Sequence, residues 1–319
     1  EKLAVMGLAE VLVHLPGLLR LRRRIGAHFI DHPPDVFVGI DAPDFNLSLE
    51  RALRQRGITT LHWVSPSVWA WRRYRLAKIR ASVDLMMTLF PFDARFYAEQ
   101  GMPAAYVGHP LADESPLAGK GPAIAGANAC SGAVGCVALL PGSRMAELRR
   151  LLPVFLETAR LCVEARPGLR FVLPVAAPHL MRLCRQWLRK RAYAALPVRL
   201  LDGNARQAMA AADAVLVASG TATLECLLLG RPMIVAYRLH PLSYPLVKHM
   251  LKVPFVSLPN LLLGAKRVPE YLQNEARPRR LAAAVLELLE DPQLAARQTQ
   301  AFQTVHHELR QQAAERAAA

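Results

Sequence analysis

The chain has 319 residues, 53% of them hydrophobic, 20% charged and 7% aromatic, which excludes a peptide-sized module and a disordered chain and allows one large or two ordinary domains. Lys and Arg number 40 against 25 Asp and Glu, leaving a formal charge of +15 that predicts attraction to polyanions such as phosphate-bearing lipid, nucleotide or nucleic acid. Five cysteines, Cys130, Cys136, Cys162, Cys184 and Cys226, form no C-x-x-C pair, which argues against a disulfide framework and for a reducing compartment.

The first expected element is a helix over Leu3 to Phe29, where Val5, Leu8, Leu12, Leu15 and Leu19 recur at three- and four-residue intervals ahead of Arg20, Arg22, Arg23 and Arg24. Glu10, His14 and Pro16 interrupt the run, and it falls short of the roughly 20 apolar residues a membrane span needs. No small-residue cleavage site follows it, so it is not read as a signal peptide. Such a helix either lies in a membrane interface with its arginines on anionic headgroups or packs as a core helix with a solvated basic end. The net charge favours the interface, and Arg72, Arg73, Arg75, Lys78 and Arg80 would extend the same basic surface.

Beyond it, apolar runs alternate with amphipathic stretches, the pattern of βαβ units and a parallel sheet covered on both faces. Strands are predicted at Asp35 to Ile40, Thr59 to Val64, Val83 to Phe90 and Ala104 to Val107, with helices at Leu47 to Arg56 and Ala94 to Gln100. Ser115 to Gly135 is rich in Gly, Ala and Pro and reads as a linker. A second series follows, with strands at Cys136 to Leu140, Arg170 to Pro174, Val198 to Leu201, Ala214 to Val217 and Met233 to Ala236, then helices at Arg279 to Glu290 and from Pro292 onward. Two doubly wound halves joined by a flexible segment are expected to enclose a cleft.

In an open parallel sheet, ligands bind beyond the carboxyl ends of the strands, and the candidate residues follow from that rule. The first strand runs into Gly39-Ile40-Asp41-Ala42-Pro43-Asp44-Phe45-Asn46. Asp44 and Asn46 are expected to cap the next helix, whereas Asp41 lies too far upstream and is the candidate general base. Leu140-Pro141-Gly142-Ser143-Arg144 turns tightly out of a strand, with Arg144 offering a fork of donors to a phosphate. Ser219, Gly220 and Thr221 open a further helix, and Glu225 follows on the same face, placed to accept from a ribose diol. A capping box is the bland alternative there. Asn260 in the apolar segment Val256 to Leu261 reads physically as a turn residue. The tryptophans of Ser65 to Trp71 offer an acyl or sugar platform but are more commonly core, and the lone His109 reads as structural. No zinc, calcium or H-E-x-x-H spacing appears, so no metal and no cofactor are expected.

Six segments together, GIDAPDFN at Gly39 to Asn46, VSPSVWAW at Val64 to Trp71, VGHPLAD at Val107 to Asp113, LLPGSR at Leu139 to Arg144, ASGTATLE at Ala218 to Glu225 and VSLPNLL at Val256 to Leu262, resemble the lipid-A-disaccharide synthase family. The resemblance implies an α/β protein of the GT-B class, two Rossmann-like doubly wound domains facing a cleft. It implies an acceptor- and membrane-facing domain over 1–114, a linker over 115–135, a UDP-sugar domain over 136–290 and a helical segment over 291–319. The implied activity is metal-independent, inverting transfer of 2,3-diacylglucosamine from UDP-2,3-diacylglucosamine to 2,3-diacylglucosamine 1-phosphate (lipid X), releasing UDP. In that comparison Asp41 matches the general base, Arg144 the holder of the UDP phosphates, and Glu225 and Asn260 nucleotide-binding positions. Leu8, Leu12, Leu15, Leu19, Arg20, Arg22 and Arg23 fall on the implied contact with the cytoplasmic face of the inner membrane. The same resemblance points to a peripheral cytoplasmic protein and gives precedent for a homodimer; no RNA-binding aromatic motif or helix-turn-helix signature appears and the arginines are scattered, so no nucleic-acid partner is expected.

Members of that family begin with a strand and a G-E-A-S-G-D loop tens of residues before the point where Glu1 stands. The N-terminal domain is therefore expected to lack its first strand and this chain to be poorly active. Other readings are another GT-B UDP-sugar enzyme, which would share the Ser219 to Glu225 junction without DAPDFN and SPSVWAW, and a non-catalytic basic polyanion-binding protein.

Overall fold

The computed structural model describes residues 8–70, 73–116, 134–239, 244 and 253–319, with side chains of the first helix described from Leu15 onward. The described residues of Glu1–Pro110 and Leu309–Ala319 form one compact unit, and those of Leu111–Lys248 and Val253–Glu308 form a second. Most of the segment expected as a linker lies outside the described residues.

The first unit runs α1 (Leu8–Asp31), β1 (Val36–Ile40), α2 (Pro43–Arg54), β2 (Thr59–Trp63), α3 (Leu76–Arg80), β3 (Leu85–Thr88), α4 (Pro91–Glu99) and β4 (Ala104–Tyr106). Its four strands lie parallel in the order β1-β2-β3-β4. The eight-residue apolar run Val83 to Phe90 yields only four residues of strand, because its ladder partners are Leu61–Trp63 on one side and Ala104–Tyr106 on the other. Val83 instead joins the core with Leu47, Met86 and Tyr97, and Phe90 stacks on Phe92 at 5.3 Å.

Burial changes along the length of α1. Toward its end Ile25, Phe29 and Ile30 pack on Leu49, Leu53 and Ile58, and Gly26 is buried because Leu49 Cδ1 stands 3.4 Å from where a Cβ would be. Earlier in the helix Leu15 and Leu21 are 39% and 43% exposed, Arg20, Arg23 and Arg24 are exposed, and Leu19 and Arg22 are half-buried. The side chains of Leu8 and Leu12 lie outside the described residues. Among the described residues β1 has a ladder partner on one side only, and its apolar Val36, Val38 and Ile40 are exposed; such an edge is open to further pairing.

After α5 (Pro110–Glu114), the second unit runs β5 (Gly135–Leu140), α6 (Met145–Ala165), β6 (Leu169–Val175), α7 (Pro178–Leu188), β7 (Val198–Asp202), α8 (Ala205–Ala211), β8 (Ala214–Ala218), α9 (Thr221–Leu228), β9 (Met233–Tyr237), α10 (Leu258–Leu263), β10 (Glu270–Leu272), α11 (Pro278–Glu290) and α12 (Pro292–Leu309). A last helix, α13 (Ala313–Ala318), belongs to the first unit, where Ala313 is buried and His109 N–H donates to Leu309 O at 2.9 Å. The six strands are parallel in the order β10-β9-β8-β5-β6-β7. All six residues of β5 are buried, as expected of a central strand covered on both faces. Leu139, Phe155, Phe171, Leu216, Ile234 and Leu281 form the heart of this core, each fully buried Leu, Ile or Phe contributing about 2 kcal/mol by removal of apolar area from water.

One device anchors strands in both units. Thr60 N–H donates to Asp84 Oδ2 at 2.9 Å while Asp84 N–H donates to Thr60 O at 2.8 Å. Cys136 and Asp213 repeat the exchange in the second sheet, both bonds at 2.8 Å. Burial raises the Asp84 carboxyl, but the Thr60 amide and the Arg54 guanidinium outweigh it and hold the group below its ordinary range. Cys136 is disulfide-bonded, which departs from the expectation of wholly reduced cysteines. Cys162, Cys184 and Cys226 are free and buried. Among the described residues no helix is long and apolar enough to cross a membrane.

Candidate active site

The turn leaving β1 is built from strain. Asp41 and Ala42 take left-handed backbone angles, φ +50° and +43°, a conformation that costs roughly 1–2 kcal/mol for each residue with a Cβ. Asn46 holds them there: its side-chain amide donates to Ile40 O at 3.0 Å and to Asp41 O at 2.8 Å. Asp41 N–H donates to Trp63 O at 2.8 Å, tying the turn to β2. The helix begins at Pro43, four residues before the expected start, and its cap position, Ala42, makes no side-chain cap bond. The capping role expected for Asp44 and Asn46 is therefore corrected. Asp44 sits exposed in the first turn and pairs with Arg75, while Asn46 reaches backward as a donor. Asp41 ends exposed at the tip of a rigid turn, the situation in which stored strain points to function.

Beneath the turn lies a pair that the sequence did not announce. A Cβ on Gly39 would stand 1.9 Å from Glu50 Oε1, so only glycine fits. Glu50 Oε1 in turn bonds His62 Nδ1 at 2.7 Å, both side chains being fully buried, and among the described residues Glu50 Oε2 and His62 Nε2 have no partner. A second strained residue ends β2: Val64, at φ +80°, an outlier for a β-branched side chain. The adjoining Ser65 bonds the buried Tyr97 hydroxyl at 3.0 Å, and Trp69 packs edge-on against Phe92 at 4.7 Å. Trp69 thus takes part in an aromatic cluster, and Trp71 lies outside the described residues. His109 is buried, its ring 5.4 Å from that of Phe90.

In the second unit a cavity of about 460 Å³ opens at the carboxyl ends of β5, β6, β8 and β9, where an open parallel sheet binds its ligands. It brings together Arg144, Ser219, Gly220, Thr221 and Glu225, all expected from sequence, with Glu147 and Tyr237, which were not. Two glycines shape it. Gly142, at φ +114°, lies so close to Glu147 that an added Cβ would meet that side chain at 2.7 Å. Gly220, at φ +153°, takes a backbone conformation that L side chains rarely adopt and caps α9. The backbone approach they allow, at the starts of α6 and α9, suits an anion.

Arg144 is 56% exposed and bonds Glu147 Oε1 through Nη1 at 3.3 Å. Ser219 Oγ donates to Val256 O at 2.9 Å, so its proton is committed to the loop beneath. Burial raises the Glu225 carboxyl above its ordinary range, opposed by the Arg206 charge. Burial also raises the Tyr237 hydroxyl, aided by the Glu147 charge and opposed by Arg144 and Arg150.

Asn260 has a different place from the one expected. It is fully buried, outside the cavity lining, and its amide is used on both ends. Nδ2 donates to Val268 O at 2.9 Å and Glu270 Oε1 at 2.8 Å, while Oδ1 accepts from the Arg267 and Val268 amides. Glu270, on the short β10 that sequence periodicity missed, also accepts from Val256 N–H, Ser257 N–H and Ser257 Oγ. This network fixes Val256, whose carbonyl holds Ser219. The signal in the sequence was the spacing of Asn260 and Glu270 around a Gly-Ala-Lys-Arg turn, too weak to read unaided. Among the described residues no three His, Cys, Asp or Glu side chains gather as a metal ion would need.

A family model described as lipid-A-disaccharide synthetase matches residues 1–319. The chain is 52% identical over 319 residues to the lipid-A-disaccharide synthase of Azotobacter vinelandii (strain DJ / ATCC BAA-1303), covering 100% of this chain and 83% of that one. Solved structures with a similar fold include MnaA of S. aureus with UDP, at TM-score 0.62 and 12% identity over 93% of this chain and 77% of that one. A calicheamicin glycosyltransferase matches at TM-score 0.58 and 15% identity over 99% and 81%. At these identities the structures speak to the fold alone, that of GT-B glycosyltransferases.

Proposed function

The chain belongs to the lipid-A-disaccharide synthase family and is a glycosyltransferase of lipid A biosynthesis; from that premise we propose how its residues divide the work. The substrates of the reading are UDP-2,3-diacylglucosamine as donor and 2,3-diacylglucosamine 1-phosphate as acceptor. The cavity of the second unit takes the UDP moiety: Arg144 and the amide-bearing turns at Gly142 and Gly220 face the diphosphate, and Glu225 accepts hydrogen bonds from the ribose diol. Asp41 is the general base. It takes the proton of the acceptor 6-hydroxyl as that oxygen forms a bond to the anomeric carbon, and the bond from that carbon to UDP breaks on the opposite face. UDP leaves with the electron pair, its new charge met by Arg144 and the two helix starts.

The observation that carries this reading is the convergence of two glycine-shaped strand-to-helix turns, one arginine and one half-buried carboxylate on a single cavity. Asn260 and Glu270 act in it as positioning residues, supporting Ser219 from beneath through Val256. The exposed Leu15 and Leu21 beside Arg20, Arg23 and Arg24 support membrane contact by α1, with Leu8, Leu12, Leu19 and Arg22 on the same helix. A homodimer rests on family resemblance alone. The test is to incubate the protein with both lipids and follow UDP: release that requires donor and acceptor together supports the reading, and release from donor alone contradicts transfer to this acceptor.

A further inference from the structure

The lining of the cavity in the second unit carries two carboxylates, while Arg150 and Arg206 act on it from outside the lining. Among its described lining residues Arg144 is the only cation, against two carboxylates, Glu147 and Glu225. Glu225 has a role in the reading above; Glu147 has none. Its position is specific. It stands in the first turn of α6 with its side chain 18% exposed. One carboxylate oxygen is 3.3 Å from Arg144 Nη1, and the other lies 2.7 Å from the point where a Cβ on Gly142 would be. The carboxylate therefore rests on the glycine turn, beside the helix start, and on the arginine, which are the three features that would receive a phosphate.

We propose that Glu147 is a resident anion of this site, holding Arg144 when the cavity is empty and displaced from it when the diphosphate of the donor or of UDP binds. The proposal rests on the cavity being the UDP site. Binding then exchanges one charge-assisted pair for another instead of adding a new one, which limits affinity. On departure the carboxylate returns to Arg144, so the same exchange favours release of UDP after transfer.

Glu147→Gln keeps the size and a hydrogen bond to Arg144 while removing the charge. By calorimetric titration, UDP is expected to bind Glu147→Gln at least about fivefold more tightly than the unsubstituted chain, or about 1 kcal/mol, while uridine, which brings no phosphate, shows no change. With Arg144→Ala in the background most of that gain disappears. A tighter complex is not an outcome that damage to the fold produces. Equal or weaker UDP binding by Glu147→Gln overturns the proposal, as does a gain that is undiminished without Arg144 or that extends to uridine. Failure of UDP to bind either protein overturns the site assignment itself, and this inference with it.

Discussion

The turns after β1 and after β5 occupy equivalent places, each leading from a parallel strand into a helix, yet they are made by opposite means. After β1, two residues with side chains are forced into the left-handed region and clamped by the Asn46 amide. After β5, Gly142 takes positive φ at no steric cost. The first construction spends backbone groups and strain to aim one side chain, Asp41. The second leaves backbone near an open cavity, where Arg144 joins it. The difference teaches that a strained non-glycine turn marks a residue to be aimed, and a glycine turn marks a surface to be approached.

That contrast breaks first at Asp41. Asp41→Asn keeps the turn's shape and removes only the base, so turnover in the two-lipid assay should fall by roughly 10² to 10⁴ with UDP affinity unchanged. Loss of both in equal measure would make Asp41 part of the framework. Asn46→Ala tests the clamp: it frees two carbonyls and leaves the strain unopposed, for a predicted loss of about 1 to 2 kcal/mol in thermal unfolding. Turnover should drop less than in Asp41→Asn, again without change in UDP binding. An unaltered melting temperature would mean that the turn holds itself.

A smaller effect sharpens the picture of the first unit. Burial pushes the Asp93 carboxyl well above its ordinary range, and among the described residues its Oδ1 has no partner. The native state thus holds that proton more tightly than the unfolded chain, whose carboxyl titrates near pH 4. Stability from this group is present below that pH and declines as pH rises toward the raised native value. Asp93→Asn removes the titration, so its melting temperature should gain on that of the unsubstituted chain as pH goes from 4 to 8; a constant gap would contradict the burial argument.

Much of this was legible in the sequence because parallel strands announce themselves as short apolar runs and their ends carry the chemistry. Asp41, Arg144, Ser219, Gly220 and Thr221 stand at such ends, and Glu225 lies one turn into the helix that follows. What stayed hidden depends on distance in space. No local signal says that Ala42, a helix former, is left-handed, so α2 was expected to begin late. Glu50 and His62 read as ordinary members of a helix and a strand, and only the fold seals them together. The buried role of Asn260 is hidden because its partner Glu270 sits on a three-residue strand without periodicity of its own. Glu147 was within reach, three residues after Arg144, but spacing alone does not say that the two share a cavity with Gly220.

The most direct test of the whole account is a binding series of uridine, UMP and UDP against the chain and its Arg144→Ala variant. Affinity is predicted to climb with each added phosphate and to lose most of that climb, roughly tenfold or more for UDP, when Arg144 is removed. Equal affinities along the series, or a climb indifferent to Arg144, would contradict a diphosphate seat at the ends of β5 and β8.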